Sequence, residues 1–71
     1  MSDDEFNMSM RKFLKTVGVT SQKEIEEAVR ALREAGDLPE GKVGAKVTLS
    51  IESLGLNHTV SGDIVMPSRN G

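Results

Sequence analysis

The sequence has no cysteine, no tryptophan and no tyrosine, and it has a single histidine. Without cysteine the chain forms no disulfide and offers no thiolate for redox chemistry or for metal binding. One histidine without cysteine also argues against a structural zinc site. We therefore predict neither a metal nor a cofactor for this chain.

No charge of one sign dominates either. Nine basic against eleven acidic residues give a net charge of −2, and the two halves of the chain are similarly balanced. No basic tail is present to hold a phosphate backbone. No apolar run approaches the roughly 18 residues of a membrane span, and the acidic residues 3–5 differ from the basic start of a secretory signal. These features predict a cytoplasmic protein without membrane contact and disfavour nucleic acid as a partner.

The 71 residues are 37% hydrophobic and 28% charged, which is typical of a folded domain. We predict one small domain over residues 1–71, with residues 67–71 as a disordered tail. A chain of this length buries only about 60% of its unfolded surface, so its core is marginal and a partner chain would help it. Hydrophobic spacing changes once, between Gly36 and Gly41, from helical to alternating. The predicted fold is α+β: two helices joined by a tight turn, then an antiparallel hairpin.

The first helix is expected to begin near Ser2 or Asp3, because Ser2 and Glu5 have the spacing of a capping box. Gly18 is expected to end it in a left-handed conformation. Its apolar residues draw one stripe that we predict to be buried core: Phe6, Met10, Phe13, Leu14 and Val17.

The second helix is expected to begin at Ser21, which forms another capping box with Glu24, and to end at Gly36. The link between the helices is so short that they must turn sharply, as an αα corner or a helix-turn-helix. The predicted buried stripe of this helix is Ile25, Ala28, Val29, Leu32 and Ala35.

The last third of the chain predicts a hairpin. Residues 37–42 contain Pro39 and Gly41 and form a connector, and residues 43–51 then alternate apolar and polar side chains as a half-buried strand does. Residues 52–57 are the expected reversal, and residues 58–66 the second strand. Gly62 in that strand suggests a bulge or a close backbone approach, and Pro67 ends the strand.

No motif assigns catalysis, and we predict that the protein is not an enzyme. His58 is the one side chain that titrates near neutral pH, but the sequence supplies it with no nucleophile or orienting carboxylate. By strand parity it falls on the face of Val60 and Ile64 near the hairpin tip. The glycines form neither a GxGxxG nor a Walker motif.

A local basic patch is formed by Arg11, Lys12 and Lys15, and it would suit phosphate or an acidic partner, or simply be a solvated helix face. Helix, turn, helix and hairpin together resemble a winged-helix DNA reader, which is the alternative function that we consider. The glutamates of the second helix argue against it, since such a surface is normally basic.

The expected hairpin leaves its edges open, and pairing with a second copy would give a four-stranded sheet. We therefore predict a small, non-catalytic interaction module that binds itself, as a homodimer through the hairpin edge, or binds another protein. The candidate interaction surface is Val43, Ala45, Lys46, Val47, Leu49 and Ile51.

Two segments carry a resemblance to a known family. Residues 6–26, FNMSMRKFLKTVGVTSQKEIE, and residues 54–64, which contain LGLNH and VSGDI, are similar to a family of short bacterial proteins classed as a domain of unknown function. The resemblance implies a stand-alone cytosolic bacterial protein and brings no activity, cofactor or catalytic residue. The ending PSRNG departs from the family pattern.

Overall fold

The computed structural model describes residues 3–68. One helix, α1 (Asp3–Ala35), is followed by a two-stranded antiparallel sheet made of β1 (Lys42–Ile51) and β2 (Leu56–Val65). A single 3₁₀ turn, Glu52–Leu54, joins the strands. The α+β class and the hairpin are confirmed. The chain divides after Gly36 into two compact units, of which the first holds the helix and the second the hairpin.

The prediction of two helices is wrong, because α1 continues through residues 18–24 without a break. Gly18 does not adopt a positive φ, and Ser21 lies in the helix interior instead of capping it. The Thr20 hydroxyl donates a hydrogen bond to the Thr16 carbonyl, one turn back, at 2.7 Å. A glycine costs about 1 kcal/mol in a helix interior, whereas a break would require a second costly nucleation. The helical residues on both sides outweigh the local stop signal.

Both ends of α1 agree with the prediction. The helix begins at Asp3 with three acidic residues in its first turn, where they stabilise the positive end of the macrodipole. The expected cap at Ser2 lies outside the described residues. At the other end Gly36 has a φ of +78°, and its N–H donates to the Arg33 carbonyl at 3.1 Å. A left-handed glycine therefore ends the helix.

The predicted core stripes of the helical region are exposed. No residue of α1 is buried, and Phe6 and Phe13 keep more than half of their side-chain surface in solvent. Within the two stripes only Val17 and Val29 are half-buried. The prediction of a buried stripe required a second helix to cover the first, and a single helix offers no such neighbour.

The hairpin is regular over ten residue pairs, from Lys42 opposite Val65 to Ile51 opposite Leu56. The second strand begins two residues earlier than expected, because the reversal is a compact turn closed by Gly55 at a φ of +61°. Pairing continues unbroken through Gly62, and a Cβ on that residue would meet nothing within 4 Å. The predicted bulge or close approach at Gly62 is therefore wrong.

The segment between helix and hairpin contains the most deeply buried side chain of residues 3–68. Leu38 is 1% exposed, and it is the one residue of the described chain classed as buried. The base of the hairpin is closed by the Met66 N–H, which donates to the Gly41 carbonyl at 2.7 Å. β2 ends one residue before Met66, ahead of Pro67 as predicted. Of the expected tail, residues 69–71 lie outside the described residues.

Candidate interaction surfaces

One face of the hairpin carries apolar residues along its length, with His58 as the exception. The register pairs Val43 with Ile64, Val47 with Val60, and Ile51 with Leu56 on this face. Val47 is 50% and Val60 55% exposed. We call this surface the hairpin face; its members are Val43, Ala45, Val47, Leu49, Ile51, Leu56, His58, Val60, Gly62 and Ile64.

The opposite face of the hairpin is mainly polar. At its centre the hydroxyl oxygens of Thr48 and Thr59 lie 3.5 Å apart across the strands. Lys46 is opposite Ser61 on this side. The structure thus brings five of the six predicted interaction residues together on the hairpin face and places Lys46 on the other one. Strand alternation explains the separation, because successive side chains point to opposite faces.

The two strands also have open edges. Within residues 3–68 the sheet has only two strands, so each strand is paired on one side alone. The outer side of each strand therefore presents unpaired backbone N–H and C=O groups. β1 contains no proline along its ten residues, and its only charged side chains are Lys42 and Lys46. This edge of β1 can therefore form backbone hydrogen bonds with another strand.

His58 lies on the hairpin face opposite Leu49 and is exposed, as strand parity predicted. A shallow, open depression of about 500 Å³ lies elsewhere in the hairpin, around Gly44 and Gly62. Lys46 and Asp63 are its only charged lining residues, and His58 is not among them. In the described part of the chain no cluster of histidine and acidic residues could hold a metal ion.

The predicted basic patch lies on the surface of α1, with Arg11, Lys12 and Lys15 all exposed. Arg11 and Lys12 border an open depression that also contains Glu5 and Met8. The carboxylate of Glu5 reduces the positive potential there. The helix-turn-helix that a winged-helix reader requires is not present in residues 3–68, since α1 has no turn.

A line of residues that is apolar except at Ser21 runs along α1, and we call it the helix seam. Its residues follow at steps of four, three, four, four, four, three and four: Phe6, Met10, Phe13, Val17, Ser21, Ile25, Ala28 and Leu32. At 3.6 residues per turn these steps keep one side of the helix. Its five largest members, Phe6, Met10, Phe13, Ile25 and Leu32, are exposed, from 40% at Met10 to 61% at Phe6, and Val17 is half-buried. Ser21, predicted as a cap, is instead a half-buried member of this line.

Sequence reasoning missed two residues. Leu38 was placed in a connector by the Pro and Gly around it, yet it is almost fully buried. Arg33, which no sequence pattern singled out, is half-buried, and its Nε atom is shielded without a hydrogen-bond partner in the described chain. An apolar residue inside a polar connector was the one available signal for Leu38.

The fold and its surfaces define a small α+β protein with an apolar sheet face, open strand edges and an exposed helix seam. Over residues 1–67 the sequence matches the model of a family of unknown function (DUF6494), and the chain belongs to this family. Neither the curated proteins nor the solved structures yield a match. Along residues 3–68, no helix combines the length and the apolar character needed to cross a bilayer.

Proposed function

We propose that this protein is a self-associating module of the cytoplasm that acts by binding and has no catalytic activity of its own. One observation carries the proposal: the hairpin face comprises five alternate cross-strand pairs that are apolar except at His58, and its central residues Val47 and Val60 remain half exposed. Since the chain has no cysteine, its fold requires no oxidising compartment.

The free energy gained by burying apolar side chains of the hairpin face supports a second copy as the binding partner. Full burial of a valine, leucine or isoleucine side chain is worth about 1.5–3 kcal/mol, and an isolated two-stranded hairpin is marginal in water. The hairpin face offers several such side chains, whereas association costs at least about 4 kcal/mol in lost freedom of motion. Covering only part of the face is therefore enough to stabilise a complex.

The open edge of β1 indicates which strands of the two copies pair with each other. Two copies related by a twofold axis pair β1 with β1 in antiparallel fashion and form a four-stranded sheet. Since the alternation of side chains continues across such a junction, the hairpin faces of the two copies lie on the same side of the sheet. The β1 side chains of this face, Val47 among them, then contact those of the partner's β1 and lose part of their exposed surface. Edge pairing also satisfies backbone groups that are otherwise left to water.

Two measurements test this function. Sedimentation equilibrium from micromolar to millimolar concentration is expected to show a reversible rise from the mass of one chain, 7.7 kDa, to that of two. Amide hydrogen exchange is expected to protect alternate residues of β1, those whose N–H points away from β2, at high concentration and to lose that protection on dilution.

A monomer at every concentration contradicts self-association. A dimer without concentration-dependent protection along β1 keeps self-association and contradicts the edge pairing. Binding of a different protein through the same surface would appear as a monomer by sedimentation.

A further inference from the structure

We infer that the helix seam is a second contact between two copies of this chain, in which the α1 helices lie antiparallel and centred on residue 19. The inference rests on the self-association proposed above and names the geometry of the helices within it. Three properties of α1 lead to it: the symmetry of the seam, the sizes of its side chains and the distribution of charge.

The steps between successive seam residues are the same whether they are counted from the N-terminal or the C-terminal end of α1. Its steps are four, three, four, four, four, three and four, so reflection about residue 19 exchanges Phe6 with Leu32 and Val17 with Ser21. Residue 19 is also the midpoint of α1, which runs from Asp3 to Ala35. A parallel helix pair in register aligns any spacing with itself, but an antiparallel pair aligns every layer only when the spacing has this symmetry. A twofold contact of this kind is self-complementary.

In two of the four kinds of layer a larger side chain meets a smaller one. Met10 falls opposite Ala28 and Val17 opposite Ser21, whereas Phe6 with Leu32 and Phe13 with Ile25 each pair two large side chains. A larger side chain that faces a smaller one leaves few voids in its layer. A parallel pair would place Phe13 against Phe13 and Ala28 against Ala28, so that the helices would be forced apart in some layers and leave cavities in others.

Charge along the helix favours the same orientation. Residues 11–15 carry three positive charges, on Arg11, Lys12 and Lys15. Reflection about residue 19 places them level with residues 23–27, where Lys23 and three glutamates sum to 1 − 3 = −2. A parallel pair would instead put each basic segment beside its copy. Apart from Glu24, which flanks the seam, these side chains lie away from it, so their effect is a long-range one that salt weakens.

The periodicity of the seam fits a pair of helices with little supercoiling. From Met10 to Leu32 the line covers 22 residues in six turns, about 3.7 residues per turn, close to the 3.6 of an unstrained helix. Two helices can therefore remain in contact with little supercoiling over most of α1, which is about 50 Å long.

Distances between spin labels in the full-length protein test the orientation. The chain has no cysteine, so one introduced cysteine is the only attachment site. Met8 and Val19 are both exposed, at 71% and 58%, and both lie on the side of α1 away from the seam. In the antiparallel pair, labels at Val19 are level with each other, whereas labels at Met8 are offset by 22 residues, or about 33 Å along the axis.

Pulsed electron paramagnetic resonance is therefore expected to give a clearly longer distance for M8C than for V19C. Labelled M8C and labelled R30C chains can also be mixed. Because reflection about residue 19 exchanges residues 8 and 30, the dimer of one M8C and one R30C chain is expected to give a distance similar to that of V19C. Equal distances for M8C and V19C would mean parallel helices and overturn the inference while self-association stands. Distances unrelated to the reflection rule would also overturn it. The absence of any dipolar signal would overturn the inference, and sedimentation equilibrium of the labelled protein would then decide whether self-association stands.

A substitution in the seam gives an independent readout. Phe13→Glu places a charge in the layer with Ile25 and is expected to raise the dimer dissociation constant at least about tenfold. Met8→Glu adds the same charge on the other side of the helix and is expected to change it less than about threefold. Circular dichroism establishes that both variants keep α1. An unchanged dissociation constant for a helical Phe13→Glu variant would overturn the inference.

Discussion

Val47 lies directly opposite Val60 in the middle of the hairpin, and the two side chains are 50% and 55% exposed. The next pairs on the same face are Ala45 with Gly62 on one side and Leu49 with His58 on the other. A β-branched cross-strand pair stabilises its own hairpin by a few tenths of a kcal/mol, but half of its apolar surface remains available to a partner.

Val47→Lys is expected to weaken self-association about 10- to 100-fold, because an ammonium group would have to leave water at the contact. Sedimentation equilibrium measures the dissociation constant. Thr48→Lys is the matched control, since it adds the same side chain one residue along on the opposite face. Equal effects of the two substitutions would show that the hairpin face is not the contact.

Gly18→Ala is expected to stabilise the protein by about 1 kcal/mol, because alanine is the better helix former and its Cβ would meet nothing within 4 Å. Urea unfolding at fixed protein concentration measures the change in free energy of unfolding. A loss of stability would indicate that a helix break at residue 18 is needed in solution.

Gly36→Ala is expected to cost about 1 kcal/mol, since a φ of +78° strains any residue with a side chain. Gly36→Asn is expected to cost less, because asparagine tolerates the left-handed conformation better. Thermal unfolding ranks the three proteins. If alanine and asparagine were equally well tolerated, the left-handed end of α1 would be contradicted.

Gly62→Thr is expected to raise the free energy of unfolding by about 0.5–1 kcal/mol, because glycine weakens a regular strand and threonine favours it. The position faces Ala45, and open space surrounds the site of the new Cβ. Urea unfolding is again the measurement. Destabilisation would revive the bulge that the structure rules out.

Leu38→Ala is expected to lower the free energy of unfolding by about 2–4 kcal/mol, because the side chain is only 1% exposed. Leu54→Ala removes the same atoms from a residue that is 71% exposed and is expected to change it by less than about 0.5 kcal/mol. A small effect at Leu38 would mean that its buried environment is not retained in solution.

The hairpin could be predicted from the sequence because strand alternation is a local property. The positions that alternate between Val43 and Ile51 fix a face without knowledge of any neighbour, and that face is the one observed. The family was also predictable, from residues spread over most of the chain. The exact start of β2 was not, because it depends on how tightly the turn at Gly55 closes.

The helical region shows where local signals fail. Gly18 and Ser21 each resemble a helix terminus, but whether a terminus forms depends on the stability of the helical residues on both sides. Burial could not be predicted for a related reason. A stripe such as Phe6, Met10 and Phe13 shows which side of a helix avoids water, but not what covers it.

The strict one-for-one register of the hairpin means that its two faces are told apart only by odd and even positions. An insertion or deletion of a single residue within β1 would turn the valines toward the threonine side for the remainder of the strand. Changes of two residues would preserve the arrangement. Length variation in this strand should therefore occur in even numbers.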